Sequence, residues 1–115
     1  MTTIYGIANC DTMKKARAWL ADAGVAASFH DYRKAGVDGG LLAEWIDRVG
    51  WERLLNRSGT TFRKLPEGAR ANLDRDKVIA LMLAHPAAIR RPVLVHGGAL
   101  EVGFDAARYA ALFAR

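Results

Sequence analysis

Cys10 is the one cysteine in a chain of 115 residues. It falls between a stretch rich in β-branched and aromatic residues and a run with helical spacing. Backbone N–H groups at a helix N-terminus, with the helix dipole, stabilise an anion. A thiolate is such an anion, so this position predicts a depressed thiol pKa and a nucleophilic sulfur. The competing reading is a small cysteine packed under the helix, since cysteine is among the residues most often fully buried. Asn9 and Thr12 flank Cys10 with polar groups, and Lys14 and Lys15 lie one turn on. Arg91 stands directly before Pro92. If the topology sets that loop across from Cys10, its guanidinium can grip an oxyanion beside the thiolate with two hydrogen bonds. Otherwise Arg90 and Arg91 are a solvated pair before a turn. A third stretch, Asn56 to Lys64, carries Asn56, Arg57, three hydroxyls, Arg63 and Lys64. It suits an anion or a peptide-like thiol with two carboxylates, or else it is a solvated loop.

Other chemistries find less support. A single cysteine excludes an intrachain disulfide and a cysteine-based zinc cluster. His30, His85 and His96 are scattered, and no spacing resembles a metal site, so no metal is expected. No dinucleotide-binding or phosphate-loop glycine pattern occurs. The formal net charge is +5, yet the basic residues come as short pairs, which argues against a nucleic-acid-binding arm. The N-terminus lacks a basic segment followed by an apolar one, so no signal peptide is expected. Apolar runs stay far below the roughly 18 residues of a membrane span. A lone thiol without an export signal predicts a reducing, cytoplasmic setting.

The elements that must position these residues follow from patterning. With 51% hydrophobic and 25% charged residues, the composition is that of one soluble globular domain over 1–115. Thr3 to Ile7 reads as a strand. A helix begins at Asp11, with Met13, Ala16, Leu20 and Ala23 at helical spacing and Gly24 as its stop. Ala27 to Tyr32 is a second, weaker strand. Strand, helix and strand within about 30 residues form a βαβ unit with parallel strands. Leu41, Leu42, Trp45, Ile46 and Val49 mark one face of a second helix ending at Gly50, followed by a short turn over Trp51 to Leu55. Asn56 to Gly68 has no clear period and reads as a long loop or broken helix. Asp74 or Asp76 caps a third long helix through Ala84, which Pro86 ends. Val93 to His96 and Leu100 to Gly103 form a hairpin about Gly97 and Gly98. Asp105 caps a last helix with Tyr109, Leu112 and Phe113 on its apolar face. A βαβ half joined through helices to a ββα half is the order of a thioredoxin-like α/β fold. That fold is a small mixed sheet of about four strands with flanking helices.

The blocks IYGIANCDTMKKARAWL, FHDYRKAG, GWERLLNRSGTTFRKL and AIRRPVLV, with the hairpin LEVGF, closely resemble the ArsC/Spx family of arsenate reductase-like proteins, and most closely its YffB branch. The resemblance implies a thioredoxin-like fold with an inserted helical subdomain at about 38–90, with Cys10 as the nucleophile, Arg91 binding an oxyanion and Pro92 following a cis peptide bond. Asn9, Thr12, Asn56 and Arg57 would assist in anion or substrate binding. It further implies glutathione as co-substrate, glutaredoxin as a regenerating partner, and a small oxyanion or disulfide as substrate. A monomer is expected. The family's arsenate reductases use three arginines. Arg91 matches one; the others align near Asn56, where Arg57 is one place off, and near Gly103. Arsenate reduction is therefore expected to be poor, and a glutathione-dependent thiol reductase is the reading preferred. The Spx branch carries Cys-x-x-Cys and binds RNA polymerase. Here Met13 occupies the second cysteine position, so that switch is absent, and a non-catalytic regulator binding such a partner is the alternative.

Overall fold

The computed structural model describes residues 1–114. Four strands form one mixed sheet: β1 (Thr2–Gly6), β2 (Ser28–Asp31), β3 (Val93–His96) and β4 (Ala99–Val102), in the order β2-β1-β3-β4. β1 pairs parallel with β2, setting Ile4 opposite Phe29, and antiparallel with β3, setting Ile4 opposite Leu94. β3 and β4 are a hairpin with His96 opposite Ala99. Gly97 supplies the positive φ of +56° at that turn, a conformation open to glycine without steric penalty. With helices on this sheet, the architecture is a thioredoxin-type α/β fold.

The parallel pairing requires a crossover, and α1 (Asp11–Asp22) provides it. Its buried residues Met13, Ala16 and Leu20 recur at helical spacing, so one stripe faces the sheet. The helix ends where Gly24 takes φ +74° and Val25 N–H donates to Leu20 O at 2.9 Å, closing orphan carbonyls as glycine C-caps do. α8 (Ala106–Phe113) is opened by Asp105, whose carboxylate accepts from Arg108 N–H at 3.1 Å. Tyr109 from α8 joins Ile4, Met13, Ala16, Leu20 and Leu94 in one core cluster. Trp19 and Phe104 meet the Tyr109 ring edge-on, a favoured aromatic geometry.

The chain divides into two compact units, one built from Met1–Asp31 and Arg91–Arg115, the other from Tyr32–Arg90. The second is helical: α2 (Tyr32–Ala35), α3 (Gly39–Val49), α4 (Trp51–Leu54), α5 (Thr60–Arg63), α6 (Glu67–Arg70), α7 (Arg75–Ala84) and a 3-10 turn at Pro86–Ala88. α3 buries Leu42, Trp45 and Ile46, and α7 buries Val78, Leu81 and Met82. Asp74, not Asp76, caps α7, accepting from Lys77 N–H at 2.8 Å. One detail differs from the sequence expectation: Tyr32 leaves the strand and opens the helical turn α2. Of the two forms expected for the stretch from Asn56, it takes the broken helix, with turns at α5 and α6, because only Phe62 among its residues is deeply buried and no apolar stripe extends either turn. Among the described residues no helix is long and apolar enough to cross a membrane.

Candidate active site at Cys10

β1 delivers the chain to the N-terminus of α1 through a three-residue connection. Asn9 takes φ +64° there, a left-handed conformation that asparagine tolerates better than most residues. Cys10 follows as the N-cap of α1, in extended backbone, and its carbonyl accepts from Lys14 N–H at 2.9 Å. The amides of the first turn have no intrahelical acceptor, so they are free to act on what stands in front of the helix.

The Cys10 side chain is half-buried and packs against the core cluster. Burial is the largest single influence and pushes its thiol up. The Met13 amide, the Arg91 guanidinium and the Thr12 amide oppose it, aided by the Arg91 charge, and together they hold the thiol below the ordinary cysteine range. The side chain forms no capping hydrogen bond. These donors therefore act by favouring the thiolate that replaces the thiol.

Arg91 begins the returning segment of the sheet unit, one residue before β3 is reached through Pro92. The Arg91–Pro92 peptide bond is cis. Arg91 is half-buried, with its Nε shielded from solvent. Pro92 is buried, and its carbonyl oxygen accepts from Gly103 N–H at 2.8 Å. Gly103 itself lies just beyond β4 at φ +82°.

The structure thus brings Arg91 and Thr12 to Cys10, though Thr12 acts through its backbone amide. Asn9 has an exposed side chain and contributes its backbone conformation. Asn56 and Arg57 belong to the helical unit. The Asn56 amide donates to Ala88 O at 2.9 Å, its Oδ1 accepts from Ser58 Oγ at 3.0 Å, and the Arg57 guanidinium lies 5.7 Å from the centre of the Trp51 ring. His96 accepts or donates a 2.7 Å hydrogen bond with Thr2 Oγ1, and the His30 ring lies tilted by 42° against that of Tyr5, 5.0 Å between centres. Among the described residues, no group of three or more His, Cys, Asp and Glu is arranged to hold a metal ion.

Two contributors escape a reading by residue type. The Met13 amide acts on Cys10 through its backbone, and every non-proline residue at that position offers the same N–H. Gly6 ends β1 under α1, where an added Cβ would stand 2.3 Å from Met13 Sδ. A glycine inside a strand pattern is the available signal for such a close approach.

The model of the ArsC family matches residues 5–112. The chain is 53% identical to a protein named YffB of known structure, with a TM-score of 0.97 over 99% of this chain and 100% of that one. It is 55% identical to an arsenate reductase (ArsC) related protein from Brucella melitensis, with a TM-score of 0.77 over 99% of this chain and 95% of that one. An uncharacterized protein of Haemophilus influenzae is 40% identical over 99% of this chain and all of its own length. A cysteine capping the first helix of such a sheet, a family match over nearly the whole length and these identities lead to one assignment: the chain belongs to the ArsC family.

Proposed function

We propose that the protein is a glutathione-dependent thiol reductase of the reducing cytoplasm, with Cys10 as its nucleophile and Arg91 as its principal anion contact. The observation that carries this reading is a half-buried thiol at a helix N-terminus, held below the ordinary cysteine range by the Met13 amide and the Arg91 guanidinium, in a chain with no second cysteine. The Cys10 thiolate attacks one sulfur of a glutathione mixed disulfide. The S–S bond breaks, the substrate leaves as a thiolate that takes a proton from water, and Cys10 is left bonded to glutathione. No thiol of the chain can resolve that adduct, so a second glutathione, as thiolate, must attack it, releasing glutathione disulfide and the Cys10 thiolate. Substrate disulfide and two-electron reduction balance: one mixed disulfide and one glutathione give one thiol and one glutathione disulfide. Glutaredoxin is the expected protein partner for recycling.

Intact-mass measurement after exposure to glutathione disulfide tests the reading. The wild type gains one glutathionyl group, which excess glutathione removes, and Cys10→Ser gains none, because a hydroxyl is a far weaker nucleophile near neutral pH. Arg91→Ala slows adduct formation by about 1.5–3 kcal/mol, the scale of a hydrogen bond to a charged group. Arsenate is the poorer substrate in the same preparation. Adduct formation by Cys10→Ser, or arsenate turnover exceeding that of the mixed disulfide, would refute the proposal.

A further inference from the structure

In the first turn of α1 only Met13 is buried, while Asp11, Thr12, Lys14 and Lys15 are exposed. Ala16 and Leu20 fasten the helix further along. The turn whose Thr12 and Met13 amides act on Cys10 is thus tied to the core by one side chain. Met13 is 1% exposed and belongs to the cluster of Ile4, Ala16, Leu20, Leu94 and Tyr109, against which Cys10 also packs. Its seat is the end of β1. A Cβ built on Gly6 would stand 2.3 Å from Met13 Sδ, 2.7 Å from Cε and 3.2 Å from Cγ. Gly6 is itself held by the sheet, opposite Asp31 of β2. A close-packed interior transmits such contacts as constraints on position. Any residue but proline offers an N–H at position 13; the side chain decides where the turn that carries it rests.

We infer that the Met13 side chain is a positioning group for the active site: seated on Gly6, it holds the first turn of α1 so that the Thr12 and Met13 amides stay directed at the Cys10 sulfur. The inference rests on the reading of Cys10 as the nucleophile. With the side chain truncated, the first turn keeps no buried anchor, and helix ends are where fraying begins. The two amides then act on the sulfur for only part of the time. The thiolate loses support without loss of any atom that donates to it. Among the charged groups, Arg91 acts on the sulfur, and Asp11, Lys14 and Lys15 share the first turn. None of these charges changes in the variants below.

The test is the pH profile of Cys10 alkylation in the full-length protein, with a thermal midpoint recorded for each variant. Met13→Ala is expected to raise the midpoint of the alkylation profile. Met13→Leu, which conserves volume, is expected to leave it at the wild-type value. Leu20→Ala is the control. It opens a cavity in the same cluster at the far end of α1 and lowers the thermal midpoint, yet it is expected to leave the alkylation midpoint in place. Should Met13→Ala fail to fold, Met13→Val, a smaller truncation, takes its place. An alkylation midpoint unmoved by Met13→Ala or Met13→Val overturns the role of Met13 and leaves the reading of Cys10 standing. So does an equal upward shift in Leu20→Ala or in Met13→Leu. A wild-type midpoint at or above the ordinary thiol value overturns the reading of Cys10 itself.

Discussion

At Cys10 the chemistry is set by a contest between burial, which favours the neutral thiol, and donors that favour the thiolate. Residue types announced part of that contest. A cysteine beside a helix start and an arginine before a proline are visible in the sequence, and the guanidinium acts on the sulfur. The amides of Thr12 and Met13 are not visible as types, because the helix terminus supplies them whatever side chains they carry. The loop candidates Asn56 and Arg57 rest on composition and on the family resemblance, and the structure sets them against Ser58, Ala88 and the Trp51 ring. Another residue of the sheet unit shows a different balance. Tyr109 is fully buried, and its hydroxyl has no hydrogen-bond partner among the described residues. Burial, with the Glu101 charge adding to it, pushes its pKa well above the usual phenol range, so it stays neutral. A buried hydroxyl without a partner is destabilising, by roughly 1–3 kcal/mol. Tyr109→Phe keeps the edge-on contacts with Trp19 and Phe104 and removes that hydroxyl. It is expected to raise unfolding free energy by about 1 kcal/mol in urea titration. A loss of stability would show that the hydroxyl is satisfied in solution.

Among the elements, β1, α1 and the β3–β4 hairpin were legible to within a residue or two, because each carries a clear period and a glycine stop. The short turns α2, α5 and α6 were not. Four residues cannot establish a helical period, and such turns are held by neighbouring contacts more than by propensity. The segment between α4 and α5 illustrates this. An isolated bridge between Leu55 and Ile89, flanked by bonds from Asn56 N–H to Ala88 O and from Arg90 N–H to Leu54 O, fixes it from 34 residues away. No local pattern encodes a partner so distant. The junction of β1 and α1 has the opposite character, being local and tight. Met13 is 1% exposed, and a Cβ on Gly6 would fall 2.3 Å from its sulfur and 2.7 Å from its terminal methyl. Methionine is adaptable, but a packed core leaves it little room to move. Gly6→Ala is expected to destabilise by about 1–3 kcal/mol, the range for overpacking. Combined with Met13→Ala it should cost less than the two changes added together, since the truncated side chain vacates the contested space. Strict additivity in chemical denaturation would place the strain elsewhere.

On the scale of the whole molecule, the sheet unit is assembled from the two ends of the chain, with the helical unit as a contiguous segment between them. The resemblance implies a helical insertion at about 38–90, and the helical unit runs from Tyr32 to Arg90. Its start at Tyr32 was hidden because Tyr32, an aromatic residue after Phe29 and Asp31, continues the strand pattern and only its backbone leaves it. Cys10 and Arg91 come from different ends of the chain and meet only when the sheet unit is complete, so the lowering of the thiol pKa is a property of the folded state. This ties reactivity to stability through proton linkage. In the unfolded chain Cys10 has an ordinary thiol pKa; in the folded protein the value is lower. Between the two, the unfolded state binds more protons, so stability rises with pH across that interval. The contribution is fully present above the unfolded pKa and disappears as pH falls through the folded one. Half-exposure of Cys10 keeps the effect modest through solvent screening. Cys10→Ser removes the titration and leaves the other groups in place. The difference in unfolding free energy between wild type and Cys10→Ser, measured by chemical denaturation under reductant at a series of pH values, is therefore expected to grow in favour of the wild type as pH climbs through the interval, then level off. A difference that stays flat, or that shrinks with rising pH, would mean that folding does not stabilise the Cys10 thiolate.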